Sequence, residues 1–502
     1  MARILIIGGG VGGLSAGIYG ALSGHDVTVV EKHSVAGGNL TGWKRDGYTI
    51  DNCIHWLTGT NPATDSYKTW VELGALGGVE IVKCETLYTY SDGERQFSLC
   101  RDLKKMEKMM LDISPADKGE ITALTRAIRA IQGYSGIGGE THDRGVRPGE
   151  LVSSVPALLR YYRSNCLELS RRFKSPLLAG FIRSFLGECF SAIALVFVLA
   201  HFTAENADLP RGGSIAMAER MAKRFEGLSG KLILNTAVER IVHKGGIAHS
   251  AILSDGQEIL ADYFVFTSDP KPIYERLFSL PLPRELAKNY TRADMIRFSS
   301  LHTAFAVDGE LPFKGDYVFP LPDNKKIKLM ADNLILREFS HEPSFAPEGK
   351  SLIQTIIFLS ESTCKAFIEL RRNDKDAYKA RKSKLCEEIR KAIEDHFPKL
   401  SGKLSLIDCW TPATYERFTG AEIGSYMSFA IPKKYIPRRC SPKIPEIRNV
   451  FLATQWQMAP GGLPTAAENG RLAIKAINAA ERARIRRARL MRTPHPRPVA
   501  QG

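Results

Sequence analysis

The sequence predicts an α/β fold in which a parallel-sheet unit, assembled from both ends of the chain, is interleaved with a mixed α+β region. Three observations predict it. Near the start, an apolar run passes through a glycine-rich turn into a small-residue helix. Near the end, "NVFLATQWQMAPGGLPTAAENGRLAIKAI" repeats the order strand, loop, helix. Between them, helical periodicity over residues 120–205 gives way to strand alternation from residue 230.

Residues 4–24 carry no charge and hold eight glycines among 21 residues. A signal peptide, a membrane span and a nucleotide cradle all begin as candidates. The placement of the glycines decides. Residues 4–7 form a buried-strand run that ends at Gly8, and Gly8-x-Gly10-x-x-Gly13 follows. A helix and a second strand, "DVTVVE", then close the unit on Glu31. In such a unit Gly8 makes the tight turn, Gly10 lets the backbone approach a pyrophosphate, and Gly13 lets helix and strand pack closely. The helix start, at Val11, offers free N–H groups and a positive dipole end to phosphate. Glu31 can accept both hydroxyls of an adenosine ribose, with Lys32 beside it. This combination within about 30 residues marks a dinucleotide cradle, and a signal peptide tolerates so much glycine poorly. A cytoplasmic protein is therefore expected.

Gly37-Gly38, followed by Asn39, forms a second glycine turn close to where a pyrophosphate would lie. "YTID" reads as a short strand delivering Asp51, then His55 and Trp56. "LYTYSDGERQFSL" is a hairpin turning at Asp92-Gly93. A helix ending near Ile113 follows, and "SPAD" starts another with Ser114 as cap and Pro115 first. The glycine cluster "GYSGIGGETHDRG" follows no strand and is declined as a second nucleotide site. Residues 177–202 are strongly apolar, but Arg183 and Glu188 interrupt them. They read as one buried helix walling a lipophilic pocket, not as a membrane span. The turn pairs Gly245-Gly246 and Asp255-Gly256 place a small sheet before "YFVFTS". A charged amphipathic helix covers about residues 374–396. The expected domains are a discontinuous nucleotide domain (1–90, 211–270, 446–480), a substrate domain (91–210, 271–445) and a basic tail, 481–502.

Composition is ordinary for a globular chain of 502 residues, with 44% hydrophobic and 25% charged. Nine cysteines show no C-x-x-C pair and read as reduced, buried thiols. Net charge is +15, and the tail holds seven arginines against one glutamate. Attraction to an anionic membrane surface, aided by Ile485, Leu490 and Met491, is one reading of that tail. A solvated, partly disordered end is the favoured one. No aromatic stacking platform accompanies the charge, so no nucleic-acid partner is expected.

The closing unit bears on which dinucleotide is held. "GGLPTAAENG" opens a helix whose start can face an electron-rich group away from the phosphates. A flavin offers one at its N1–C2=O edge, and Gln455 can reach a ribityl chain between the two anchors. An ordinary closing strand–helix unit is the alternative. From end to end, the chain resembles the phytoene desaturase, carotenoid isomerase and retinol saturase group of FAD proteins, more distantly related to flavin amine oxidases. The resemblance lies in the opening cradle and in "GYTIDNCIHWL", "LPRGGSIAMAERMAKRF", "LILNTAVERIV", "FTSDP", "TPATYERFTG" and "FLATQWQMAPGGLPTAAENGRLA". It implies a Rossmann-type FAD-binding domain interleaved with a mixed α+β substrate domain. It also implies that Gly8, Gly10, Gly13 and Glu31 hold the ADP half and that Gly37 and Gly38 lie near the pyrophosphate. The Val238 backbone would meet the adenine, and Gly462-Leu463 would face the flavin. Two departures stand out: relatives often carry an acid at Gln455, and Met427 replaces a smaller residue.

Flavin chemistry asks the protein for position and electrostatics more than for a nucleophile. His55 is the candidate acid–base group, although a structural histidine bonded to backbone is the stronger reading. For Trp56, Tyr415, Arg417 and Tyr426, packing or surface roles compete with substrate contact. The expected activity is desaturation, saturation or isomerisation of carbon–carbon double bonds in a long lipophilic polyene or related lipid. A flavin amine oxidase and a non-catalytic lipid-binding flavoprotein are the alternatives. No metal ligand set is read from the sequence.

Overall fold

Five strands from four distant parts of the chain align in parallel, in the order Lys231–Ile233, Asp26–Val30, Arg3–Ile7, Tyr263–Phe266, Val450–Leu452. The computed structural model describes residues 1–132, 148–321 and 333–492. The glycine cluster of residues 133–145 and the last ten residues of the basic tail lie outside them.

Strands Arg3–Ile7, Tyr263–Phe266 and Val450–Leu452 are almost wholly apolar because both faces of the sheet are covered. Helices Val11–Leu22, Gly213–Gly227 and Leu463–Arg492 bury Leu14, Ile18, Met221, Phe225 and Ile474 against one face. An antiparallel meander, Val238–Lys244, Ile247–Leu253 and Glu258–Leu260, covers the other with Ile241, Ala251 and Leu253.

The helix Val11–Leu22 meets its neighbours backbone to backbone. A Cβ on Gly13 would overlap the Gly8 carbonyl oxygen, and one on Gly12 would overlap that of Ala453. On the closing helix, a Cβ on Gly470 would stand 2.7 Å from Ala16 N. Ser15 Oγ donates to Ala467 O at 2.6 Å across the same seam.

The second sheet has seven strands, in the order Leu404–Trp410, Ser299–Asp308, Lys350–Leu359, Asn333–Glu338, Asp316–Pro320, Thr86–Ser91, Gln96–Cys100. All pairs are antiparallel except Asp316–Pro320 with Thr86–Ser91. Leu334 and Leu336 point to helices Glu361–Asn373 and Lys375–His396. Ile335 between them points to a helical layer that includes Pro176–Leu186 and Ala192–Thr203. Period-two alternation thus serves two separate cores.

Three expectations change. The strand Thr86–Ser91, placed with the nucleotide segment 1–90, belongs to the second sheet, where Tyr88 pairs with Asp316. Residues 177–202 are two helices, because Gly187 takes φ +100° and breaks the path. "SPAD" forms a 3₁₀ turn, Pro115–Asp117, before the helix Lys118–Ile131. Ser114 makes no side-chain cap there, since its Oγ donates to Asp117 at 2.8 Å. The charged helix stands at Lys375–His396, close to its expected span.

Gly13→Ala is expected to cost at least about 2 kcal/mol by overpacking against a fixed carbonyl. Gly17→Ala, whose Cβ would meet a movable Phe225 ring at 2.9 Å, should cost less. Thermal unfolding of both variants beside the parent checks the order.

Candidate functional site

A single cavity of about 1720 Å³ runs from the first glycine turn to an aromatic arm under the second sheet. Gly8, Gly10, Val11, Glu31, Lys32, Gly37, Gly38 and Asn39 line one end, with Val238 on the meander nearby. Gln455, Gly462 and Leu463 line it from the closing unit, and His55 lines the arm. Gly13 does not line the cavity; it lies beneath, against Gly8.

The two glycine turns clasp each other. Gly10 and Gly37 form a parallel bridge, Gly37 N donates to Gly9 O at 2.8 Å, and Gly38 would bring a Cβ within 3.0 Å of Gly10 Cα. Gly8 at φ +104° and Gly37 at φ +126° hold conformations that side chains disfavour. Glu31 Oε2 accepts from Gly9 N at 2.7 Å and Oε1 from His33 N at 3.0 Å. Each oxygen keeps a lone pair for a further donor. A side-chain-free cradle at a helix start, rimmed by a carboxylate, fits the ADP part of FAD.

At the other end, Gln455 Oε1 accepts from Gly462 N at 2.7 Å and its Nε2 donates to Tyr426 O at 2.9 Å. The ribityl partner expected at Gln455 is therefore first a brace between two loops. Met427 lines the cavity opposite, its Cε 3.9 Å from a Cβ built on Gly462. Lys32 Nζ donates to Arg417 O at 2.9 Å, and burial lowers its pKa.

In the arm, Trp56 stacks on Phe185 with ring centroids 5.9 Å apart, and Tyr88 meets Phe185 edge-on at 4.9 Å. Leu186, Phe190, Ile193 and Phe197 also line it. The two helices of residues 177–202 are thus cavity wall. Among the described residues, His55 has no backbone hydrogen bond of the expected structural kind. Its Nδ1 lies 3.7 Å from Asp316 Oδ2, and burial and the Arg337 guanidinium drive its pKa well below 6.5. Burial raises Asp316 to about 6 against the opposing charges of Arg337 and His341.

A second polar group lies nearby. His302 Nε2 sits 2.6 Å from Ser300 Oγ and 3.1 Å from the Tyr415 hydroxyl, which donates to Asn52 Oδ1 at 2.8 Å. The His302 ring stacks on Trp410 at 4.8 Å, and its pKa is lowered by burial. Tyr415 is buried and Tyr426 half-buried; both line the cavity and are not surface residues. Arg417 lines it as well. Sequence reasoning missed Asp316 and His302. "KGDYVF" reads as a turn entering a strand, and His302 lies on an apolar strand without a motif.

Residues 11–478 match the family of flavin-containing amine oxidoreductases. The chain belongs to that family. It is an FAD-dependent oxidoreductase. Among relatives of this flavin-containing oxidoreductase, phytoene desaturase of Cercospora nicotianae is 25% identical, covering 70% of this chain and 60% of that protein. Prolycopene isomerase 1 of an Oncidium hybrid cultivar is 24% identical, covering 86% and 76%. The fold is shared with an oxidoreductase from Methanosarcina mazei at TM-score 0.58 and 15% identity, over 95% of this chain and all 100% of that one. It is shared too with putrescine oxidase bound to putrescine, at TM-score 0.55 and 15% identity, over 95% and 99%. No helix among the described residues is long and apolar enough to cross a membrane, and none of the nine cysteines is disulfide-bonded.

Asp316 gives the site a pH signature. With its folded pKa raised from 3.8 to about 6, its contribution is most favourable below the unfolded value and is lost as pH rises through 6. Asp316→Asn should therefore raise thermal stability at about pH 8, by no more than about 3 kcal/mol, and give no gain at about pH 4. Melting curves across that range check the sign.

Proposed function

We propose that this oxidoreductase desaturates, saturates or isomerises carbon–carbon double bonds in a long lipophilic polyene. One observation carries the reading: the glycine cradle and the aromatic arm are parts of one cavity, so a chain in the arm and a cofactor in the cradle share one continuous space. In this reading Gly8, Gly10, Val11, Gly37 and Gly38 receive the pyrophosphate, and Glu31 takes the ribose hydroxyls. Lys32 and Asn39 border them, and the Val238 backbone meets the adenine. Gly462 and Leu463, braced by Gln455, face the ring. FAD supplies a two-electron acceptor or donor. The chain's own residues orient the lipid along Trp56, Phe185 and Phe197 and keep water from it. The names of the desaturase and isomerase relatives support a carotenoid-like substrate.

Membrane contact at the cavity mouth accompanies this reading. Leu159 and Ile436 line the cavity while 70% and 66% exposed. Tyr162 OH donates to Lys434 O at 2.8 Å, tying their two segments, and Arg163, Lys434 and Arg438 are exposed beside them. Apolar tips ringed by cations suit an anionic bilayer from which a lipid enters. The exposed Arg482, Arg486 and Arg487 of the closing helix add charge elsewhere.

Anaerobic incubation of the FAD-loaded protein with polyene lipids should change flavin absorbance and give a product differing by two hydrogens, or by geometry alone for isomerisation. A flavin silent to every polyene, with no altered product, sinks the reading. Leu159→Glu with Ile436→Glu should abolish co-sedimentation with anionic vesicles while leaving FAD content unchanged; sedimentation equal to the parent's removes the mouth as the contact.

A further inference from the structure

The aromatic arm contains two polar side chains that no described residue satisfies. His55 makes no hydrogen bond among the described residues, and Asp316 reaches only His55, at 3.7 Å, too far for a direct hydrogen bond. Two other polar groups of the arm are occupied. The Tyr88 hydroxyl donates to Ser184 at 3.0 Å, and His201 Nδ1 is 3.2 Å from Asn206 Nδ2. The His55 and Asp316 side chains are 28% and 19% exposed, and both line the cavity. They also sit on fixed supports. Arg337 donates to Ile54 O at 2.5 Å and to Asp51 O at 3.4 Å, holding the loop that carries His55, while Asp316 begins a strand of the second sheet.

Resting on the reading of a lipophilic substrate, we infer that His55 and Asp316 anchor a hydroxyl at one end of that substrate. Two atoms 3.7 Å apart can each lie at hydrogen-bond distance from one oxygen placed between them. A hydroxyl has one donor and two acceptor sites, so it can donate to Asp316 Oδ2 while accepting from His55 Nδ1–H. A hydrocarbon end that filled the gap between them would leave both groups unpaired, which disfavours it strongly. An ammonium would meet the carboxylate but also the field of Arg337, whose charge already acts on Asp316. The anchor therefore selects an amphipathic lipophile carrying an alcohol, its chain running past Trp56 and Phe185. His55 and Asp316 are specificity residues on this account, touching the substrate away from the bond that changes.

Three probes of one skeleton test this on the FAD-loaded protein: geranylgeraniol, the hydrocarbon with hydrogen in place of its hydroxyl, and the corresponding primary amine. Perturbation of the flavin spectrum on titration gives each affinity. The alcohol should bind about tenfold or more tighter than the hydrocarbon, as expected for hydrogen bonds to a charged group. Asp316→Leu should bring the two within about threefold by weakening only the alcohol, while Asp316→Asn should keep part of the preference. FAD content of each variant reports its folding. Equal affinities in the parent, a preference that survives Asp316→Leu, or tighter binding of the amine overturns the anchor and leaves the lipophilic reading standing. If none of the three binds, both fall.

Discussion

The closest constraint in this molecule is the contact of one helix with the backbone around it. Val11–Leu22 can start where it does only because Gly12 and Gly13 let it lie against the Ala453 and Gly8 carbonyls, and because Gly470 lets the closing helix reach Ala16. That seam brings residues near 10 and near 460 to one side of one sheet. The cavity's two cradling turns are its consequence, since each helix start faces the space left where the backbones meet.

The second arrangement that matters is the loop 51–56. Asp51 accepts from Ser214 N at 2.7 Å and Ser214 Oγ at 2.6 Å, fixing one end of the loop to the start of Gly213–Gly227, a helix packed on the five-stranded sheet. Gln354 Nε2 donates to Asp51 O at 3.1 Å and Arg337 to Ile54 O, fixing the same loop to the second sheet. His55 and Trp56 are thereby held between the two sheets, where the arm leaves the cradle. The sequence expectation that "YTID" delivers these residues describes the path; the clamp that immobilises them comes from residues 160 to 300 positions away.

Polar groups in the arm depend on strand pairing. Asp316 stands opposite Tyr88 in the single parallel pair of the seven-stranded sheet, and His302 stands opposite Trp410. Those pairings set a carboxyl and an imidazole among aromatic rings. Burial then raises the one and lowers the other, the expected effect of desolvation on opposite charge types.

Local physics made part of this legible from residues alone. Glycine spacing, an apolar run before it and an acid after the next strand are short-range features, so the cradle, the helix Lys375–His396 and the closing strand–helix unit could be read directly. The break at Gly187 was not, because a single positive φ leaves the hydrophobic pattern unchanged. Asp316, His302 and the brace role of Gln455 required tertiary structure, since each is defined by a partner many residues away. The sequence by itself marked one dinucleotide cradle at the first helix start and a second helix start near the other end of the chain; only the folded chain decided which side chains share the arm, because strand register and loop clamps act between segments that no local pattern connects.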